Sequence, residues 1–548
     1  MLLVGALRED HVITVGHDYA RAFARHNDAA MYALLSKDAQ ARVTETRFAQ
    51  LQQEALGLST ATQITAGKPD KVNDHLVRIP MTVNTRIFGT VNASLDLPLS
   101  GGGSGVKVDW RRNLTFPGVP MGVTLSRNVT LPPRASLLTR DGKVLASGPS
   151  RTPDPALTDV AAQTVGELGQ IAPERLAELR ARGVPDNATV GVSGLERALD
   201  EKLTGKPGGT LFAGARVLAN SPPRQAQAVR TTIAPSVERA AVSALAGRLG
   251  GVVALNPLTG EILGFAGVAF SGLQPPGSTF KMITLTGSLA AGVAHVSDHF
   301  PIETKAVLSG VDLTNANGEY CGGSLADSFA NSCNSVFAPM GVKLGANNLV
   351  ATAEKFGFNS PPDISGAAMS TLPQGALIGD DLAVGSTAIG QGQVQATALQ
   401  MATVAATIGL RGRKPHLTLD YAERVDNTKV RPVIDPKATI LAGKLMLDVV
   451  RYGTGKLAAI TGVKVAGKTG TAELQTTKKC DPTTDNPETC TNKNVADPTD
   501  TDAWFAAFAP AGEGRPRVAV GVLLVRDGAG GDTAAPAART VLQAALAR

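Results

Sequence analysis

Near its start the chain places apolar residues three and four positions apart. In HDYARAFARHNDAAMYALLS they fall at Tyr19, Phe23, Met31, Leu34 and Leu35. That spacing predicts two amphipathic helices separated at Asn27-Asp28, with Asp28 placed to cap the second. TRFAQLQQEALG puts Phe48, Leu51 and Ala55 on one face of a further helix and predicts its stop at Gly57. The period then shortens to two. HLVRIPMTV, GTVNASLDL and VKVDW alternate apolar and polar positions and are punctuated by SGGGSG, which predicts strands. Helices followed by meandering strands predict an α+β domain over residues 1–120, with helices packed on a curved antiparallel sheet.

Residues 121–230 lack long apolar runs and read as an irregular linker or docking domain. RASLLTRDGKVLA predicts two short strands about an Asp141-Gly142 turn. DPALTDVAAQTVGELG and APERLAELRARG predict exposed amphipathic helices. Residues 231–548 carry the strongest patterns. VERAAVSALAGRLG predicts a helix ended by glycine, and GGVVALNPLTGEILGFAG a strand, a turn and a strand. Helices punctuated by glycine follow as far as Leu410. KVAGKTGTAEL, AWFAAFAP and VAVGVLLV predict late strands, and AAPAARTVLQAALAR a closing helix. Early and late strands returning to one sheet, with an all-helical block inserted between them, predict an α/β domain.

Composition changes this picture little. A chain of 548 residues suggests about three domains. The net charge is +6, from 53 basic and 47 acidic residues, with no Lys/Arg block and few aromatics. A nucleic-acid partner is therefore not expected. No run reaches the ~18 apolar residues that a membrane helix needs.

The cysteines, Cys321, Cys333, Cys480 and Cys490, form no CxxC pair and have no histidines at zinc-ligand spacing. Cys480 and Cys490 share the polar loop KKCDPTTDNPETC, where a disulfide and two free thiols fit equally well. Cys333 is expected as a small buried residue. His295 and His299 are expected to be structural, and Trp504 and Phe505 to belong to the core. No metal or cofactor is expected.

The chemistry concentrates in PPGSTFKMITLTGSLAAG, Pro275–Gly292. Ser278 heads an apolar helix, and Lys281 follows three residues later on the same face. The helix N-terminus favours a developing anion at Ser278. Lys281, among Phe280, Met282, Ile283 and Leu285, loses hydration and with it the preference for its charged form. An activated nucleophile and its base follow from that arrangement. A second Ser-x-x-Lys, Ser104 to Lys107, lacks the helix.

NSCNSVF supplies Ser332 and Asn334. Ser332 suits a proton relay between Lys281 and a leaving amine, and Asn334 suits hydrogen bonds to Lys281 and to a substrate amide. A second Ser-x-Asn, Ser126 to Asn128, precedes the nucleophile and lies in a strand-like run. KVAGKTGTAEL supplies Lys468, Thr469, Gly470 and Thr471 on a strand. The lysine and the two hydroxyls suit a carboxylate, and the glycine allows a substrate backbone to come close.

The ordered set Ser278-x-x-Lys281, Ser332-x-Asn334 and Lys468-Thr469-Gly470 resembles that of class B penicillin-binding proteins. LNPLTGEILGFAG, GQGQVQATALQMA, KTGTAE and AWFAAFAP resemble further segments of that family, and RASLLTRDGKVLA resembles the start of its linker domain. The N-terminal region, ending in VDWRRNLTFPGVPMG, resembles the NTF2-like domain of methicillin-resistance-type members. The resemblance implies three domains: NTF2-like over 1–120, a linker or pedestal domain over 121–230, and a transpeptidase domain over 231–548.

The resemblance further implies a D,D-transpeptidase that cross-links peptidoglycan stem peptides through a serine acyl-enzyme and is trapped by β-lactams. Ser278 would be the nucleophile and Lys281 its base. Ser332 and Asn334 would move the proton and position the substrate. Lys468, Thr469, Gly470 and Thr471 would hold the substrate, and the backbone N–H groups of Ser278 and Thr471 would form the oxyanion hole. A D,D-carboxypeptidase, a β-lactamase and a non-catalytic β-lactam sensor or scaffold are the alternatives that the same motifs admit. Implied partners are stem peptides, β-lactams, a peptidoglycan glycosyltransferase and other cell-wall proteins. The implied location is the extracytoplasmic face of the bacterial membrane, with the family's anchor absent from this chain.

Overall fold

The computed structural model describes residues 11–473, 501–512 and 514–548. They form two compact units. The first takes the chain up to Ala135 together with Leu168–Val190 and Glu201–Gln227. The second takes Ser136–Glu167, Gly191–Asp200 and Ala228–Arg548.

The first unit begins with helices α1 (His11–Ala24), α2 (Asp28–Ala33), α3 (Lys37–Arg42) and α4 (Glu45–Ser59). Strands β1 (Ala61–Ala66), β2 (Asp70–Asn73), β3 (Leu76–Thr85), β4 (Thr90–Ser100) and β5 (Lys107–Val108) follow. They pair antiparallel in the order β1-β3-β4-β5, with β2 alongside β3. Alternate residues of β3, Val77, Ile79, Met81 and Val83, are buried in one core with Tyr19, Phe23, Met31 and Phe48. The two periods read from the sequence thus meet on one face.

Two local expectations are corrected. Asn27, not Asp28, caps α2: its side-chain oxygen accepts from the Ala30 N–H at 3.0 Å, while Asp28 is the first helical residue. There its negative charge still faces the positive end of the helix. Helix α4 continues through Gly57 and ends where Thr60 turns left-handed at φ 53°. One interior glycine costs a helix only about 1 kcal/mol, too little to stop it before β1 begins. The same unit holds a three-stranded sheet of Arg216–Ser221, Gly208–Ala213 and Leu125–Thr130, in that order.

In the second unit, Leu137–Leu138 and Val144–Ala146 form the expected hairpin, with Gly142 at φ 87°. Helix α5 (Pro235–Leu245) then leads to strands β6 (Gly250–Leu255) and β7 (Ile262–Gly267). Helices α6 (Lys281–Ala290), α7 (Leu325–Ala330), α8 (Asn334–Leu344), α9 (Ala398–Gly409) and α10 (Pro436–Arg451) precede β8 (Ala466–Glu473). Strands β9 (Thr501–Ala509) and β10 (Val518–Leu524) and helix α11 (Ala534–Leu546) complete it. The sheet is antiparallel, ordered β7-β6-β10-β9-β8, which leaves the Lys-Thr-Gly strand at one edge.

Val518, Val520, Val522 and Leu524 pack with α5 and α11 through Val237, Ala241, Val541 and Leu542. Gly521, facing the other way, lies so close to α9 that a Cβ there would come within 2.1 Å of the Ala398 carbonyl oxygen. The sheet is therefore covered on both faces, as its near-continuous apolar strands require.

The inserted block is not wholly helical. His299–Glu303 pairs with Cys321–Ser324, and Lys305–Leu308 with Val311–Thr314. Strands of four or five residues at the surface carry too little alternation to stand out from a loop. Among the described residues, no helix is long and apolar enough to cross a membrane.

Candidate active site

Pro275 and Pro276 restrict the backbone ahead of Gly277, which turns left-handed at φ 51°. A single 3₁₀ turn, Gly277–Phe280, then runs into α6. Residues three apart eclipse in such a turn, so Ser278 and Lys281 lie on one side of it. The turn is gripped from two directions. Gly277 N–H donates to the Gly390 carbonyl at 3.0 Å, within the GQGQ segment. On the other side it touches β8. A Cβ on Gly277 would lie 2.8 Å from the Thr471 carbonyl oxygen, and one on Gly470 would lie 2.7 Å from that of Pro276. At Gly470 and Gly277 the strand and the Ser278 turn thus come into backbone contact.

Lys281 is fully buried. Its Nζ donates to the Ser332 carbonyl at 2.6 Å, to Asn334 Oδ1 at 2.6 Å and to Ser332 Oγ at 3.3 Å. Burial, and then the charge of Lys468, hold its ammonium well below the usual lysine range. Lys468 is equally buried, and burial draws it down to about 7. Its Nζ donates to Ser332 Oγ at 2.8 Å and to the Thr469 carbonyl at 3.1 Å. One serine oxygen therefore joins two buried amines whose charged forms are both disfavoured.

Ser332 reaches this place because its backbone is left-handed, φ 64°, in the short turn between α7 and α8. Asn334 is fixed from behind, donating through Nδ2 to the Thr314 carbonyl at 2.8 Å. Cys333, between them, is fully buried as expected. It is also bonded to Cys321, with Cα atoms 5.3 Å apart, a pairing that sequence reading did not anticipate. Cys480 and Cys490 lie outside the described residues.

On β8, Thr469 Oγ1 lies 2.6 Å from Thr454 Oγ1, and Thr471 Oγ1 accepts from Gly530 N–H at 3.3 Å. Sequence reading missed Thr454. Its signal was slight: a threonine between Gly453 and Gly455, just after α10. Trp504 and Phe505 are fully buried, as expected of core residues. Ser278, Lys281, Ser332, Asn334 and Lys468 through Thr471 thus converge from a 3₁₀ turn, an interhelical turn and an edge strand. The cluster offers a partly exposed hydroxyl, two buried amines whose charged forms burial disfavours, and a strand edge bearing two hydroxyls.

Residues 250–543 match the penicillin binding protein transpeptidase domain, and residues 156–215 match the penicillin-binding protein dimerisation domain. Peptidoglycan D,D-transpeptidase PbpA of Mycolicibacterium smegmatis is 32% identical over 421 residues, covering 65% of this chain and 79% of that protein. PbpA of Mycobacterium tuberculosis is 33% identical over 377 residues, covering 58% and 72%. The crystal structure of the M. tuberculosis protein superposes with a TM-score of 0.56 at 28% identity, covering 76% of this chain and 99% of that one. That protein has also been solved as ceftriaxone and imipenem acyl-enzyme complexes, which match with the same TM-score.

Proposed function

The chain belongs to the penicillin-binding protein transpeptidase family, and on that premise we propose that it is a peptidoglycan D,D-transpeptidase acting through a serine acyl-enzyme. The observation that carries the assignment of roles is the Ser332 hydroxyl shared by two buried lysines beside the Ser278 turn.

Ser278 Oγ attacks the carbonyl carbon of the penultimate D-Ala of a stem peptide, and its proton passes to neutral Lys281. Backbone N–H groups of Ser278 and Thr471 face the resulting oxyanion. Each such donor is worth about 3 kcal/mol in other acyl transferases. The C–N bond then breaks, and terminal D-Ala departs with a proton relayed from Lys281 through Ser332, leaving an ester on Ser278. An amine of a neighbouring strand attacks that ester, gives up its proton along the same path, and releases Ser278 as a new amide forms.

Asn334 orients Lys281 and the substrate amide. Lys468, Thr469 and Thr471 hold the terminal carboxylate, and Gly470 lets strand and turn close on it. A β-lactam follows the first half of this path, but its opened ring stays tethered, so the ester persists.

The domain layout proposed with this function is NTF2-like over 1–120, linker or pedestal over 121–230 and transpeptidase over 231–548. The layout of α1–α4 on the sheet β1-β3-β4-β5 supports the first of these, and the dimerisation-domain match supports the second. The enzyme is placed at the extracytoplasmic face of the membrane, working beside a peptidoglycan glycosyltransferase and other cell-wall synthesis proteins.

Incubation with penicillin followed by intact-mass measurement and peptide mapping tests the site. One drug mass on Ser278 is expected, and an unmodified Ser278 peptide refutes the assignment. Turnover of a D-Ala-D-Ala peptide with and without an amine acceptor tests the reaction. Acceptor-dependent product is expected. Hydrolysis alone would mark a carboxypeptidase, steady turnover of the drug a β-lactamase, and acylation without peptide turnover a sensor.

A further inference from the structure

We propose that Thr454 is a positioning residue that sets the direction of the Thr469 hydroxyl proton, and so the strength with which the site holds a substrate carboxylate. The proposal rests on the transpeptidase reading, in which Thr469 binds that carboxylate.

The turn Tyr452–Gly455 is strapped across two walls of the site. Thr454 N–H donates to the Ala330 carbonyl at 3.0 Å, and Tyr452 OH donates to Asp327 Oδ1 at 3.1 Å, both on α7 just before the Ser332 turn. Gly453 is pressed against the same wall, since a Cβ there would fall 2.3 Å from the Ala330 oxygen. On its other side the turn faces β8 through the hydroxyl of Thr454, 2.6 Å from that of Thr469. Gly531 closes the gap behind: a Cβ on it would lie 2.5 Å from the Thr454 carbonyl oxygen and 3.9 Å from Thr469 Cγ2. Neither threonine hydroxyl is free to drift.

Each hydroxyl has one proton to donate. Thr454 Oγ1 has two partners, Thr469 Oγ1 and the Ala330 carbonyl oxygen at 3.3 Å, and the carbonyl can only accept. If Thr454 donates to Ala330, Thr469 must donate to Thr454. Thr469 then turns only lone pairs toward the cleft, the wrong polarity for a carboxylate. If Thr454 instead donates across the short 2.6 Å contact, the Thr469 proton is released toward the ligand, and the two bonds reinforce one another. Only the longer bond to Ala330 is given up. A carboxylate therefore selects the second arrangement, in which the proton donated by Thr454 holds Thr469 Oγ1 in place and strengthens the bond that the Thr469 hydroxyl makes to the ligand.

The test compares Ser278 acylation by penicillin and by its methyl ester, which lacks the charged carboxylate. Thr454→Val is expected to slow acylation by the acid about 3- to 10-fold, the range of one lost neutral hydrogen bond, and to leave acylation by the ester within twofold. With a D-Ala-D-Ala peptide it should raise KM while kcat holds. Thr454→Ser keeps the donor and should behave as wild type. If Thr454→Val melts earlier than wild type, Thr454→Ala makes the same comparison without the second methyl group. Equal slowing with acid and ester, no slowing with either, or a serine variant as slow as the valine one overturns the proposal and leaves Thr454 as a cap for α7. Wild-type protein that takes no drug on Ser278 overturns the underlying transpeptidase reading instead.

Discussion

Lys468 donates a 2.8 Å hydrogen bond to the hydroxyl of Ser332, 136 positions earlier in the chain. The contact spans from the edge strand to the turn between two helices, and Lys281 meets the same oxygen at 3.3 Å. Both lysines are buried, so a proton moving between them passes through one hydroxyl group.

Removing that hydroxyl in Ser332→Ala should slow acylation of Ser278 by penicillin about 100-fold or more, the usual span of general acid–base catalysis. With a stem-peptide substrate kcat should fall further than KM rises. The turn itself should persist, because alanine leaves the Lys281 bonds to the residue 332 carbonyl and to Asn334 in place. Drug-labelling rates together with a melting curve check both halves of this expectation.

Carboxylate binding should be linked to proton uptake. Without ligand, Lys468 titrates at about 7, so it is largely neutral at pH 8.5. A bound carboxylate favours its charged form and raises that value. Binding at pH 8.5 should therefore take up close to one proton, and binding at pH 5.5 almost none, since Lys468 is already charged there. Calorimetry of Ser278→Ala with a D-Ala-D-Ala peptide, in buffers of different ionisation enthalpy, measures this number directly. Lys468→Met should remove the uptake.

Gly470→Ala is expected to impair the enzyme without any change in its chemical groups. The added methyl would sit 2.7 Å from the Pro276 carbonyl oxygen and 3.0 Å from Trp504 Cβ. Overpacking of that kind costs about 1–3 kcal/mol. Here it would be relieved by moving the Ser278 turn away from β8. Penicillin acylation should slow more than 10-fold while the fold is kept; an unchanged rate would show that the turn and strand can part without loss.

Glu238 on α5 is buried, with Oε2 accepting from Phe265 N–H at 2.8 Å and Oε1 unpartnered. Burial pushes its carboxyl from the ordinary 4.5 up to about 8. A folded-state value above the unfolded one means that its stabilisation is complete below pH 4.5 and is lost as pH rises through 8. Glu238→Gln removes this titration. The variant's melting temperature should fall less between pH 6 and pH 9 than that of wild type, as thermal denaturation at the two pH values would show.

The parts of the site that rest on short spacing were legible in the sequence. Ser278 and Lys281 fall on one side of any helical turn, and the pattern of KVAGKTGTAEL predicts Lys468 and Thr469 on a strand. Their meeting was not legible, because it depends on where α7, α8 and the edge strand pack. The partnership of Thr454 with Thr469 has the same cause: a threonine after α10 acquires meaning only from the strand beside it. Short elements were also hidden. His299–Glu303 and Lys305–Leu308 are too brief to display a period. The α2 cap falls at Asn27 instead of Asp28 because the two residue types cap about equally well, so their order along the chain does not choose between them.

The bond between Cys321 and Cys333 adds a condition on where this protein is finished. Such bonds persist in oxidising surroundings and are rare where thiols are kept reduced. Cys333 lies between the serine and the asparagine that grip Lys281, so the crosslink staples that segment to a neighbouring strand. A chain still held among cellular reductants lacks the staple. At the extracytoplasmic location proposed above, the staple would close only once the polypeptide has left the reducing compartment.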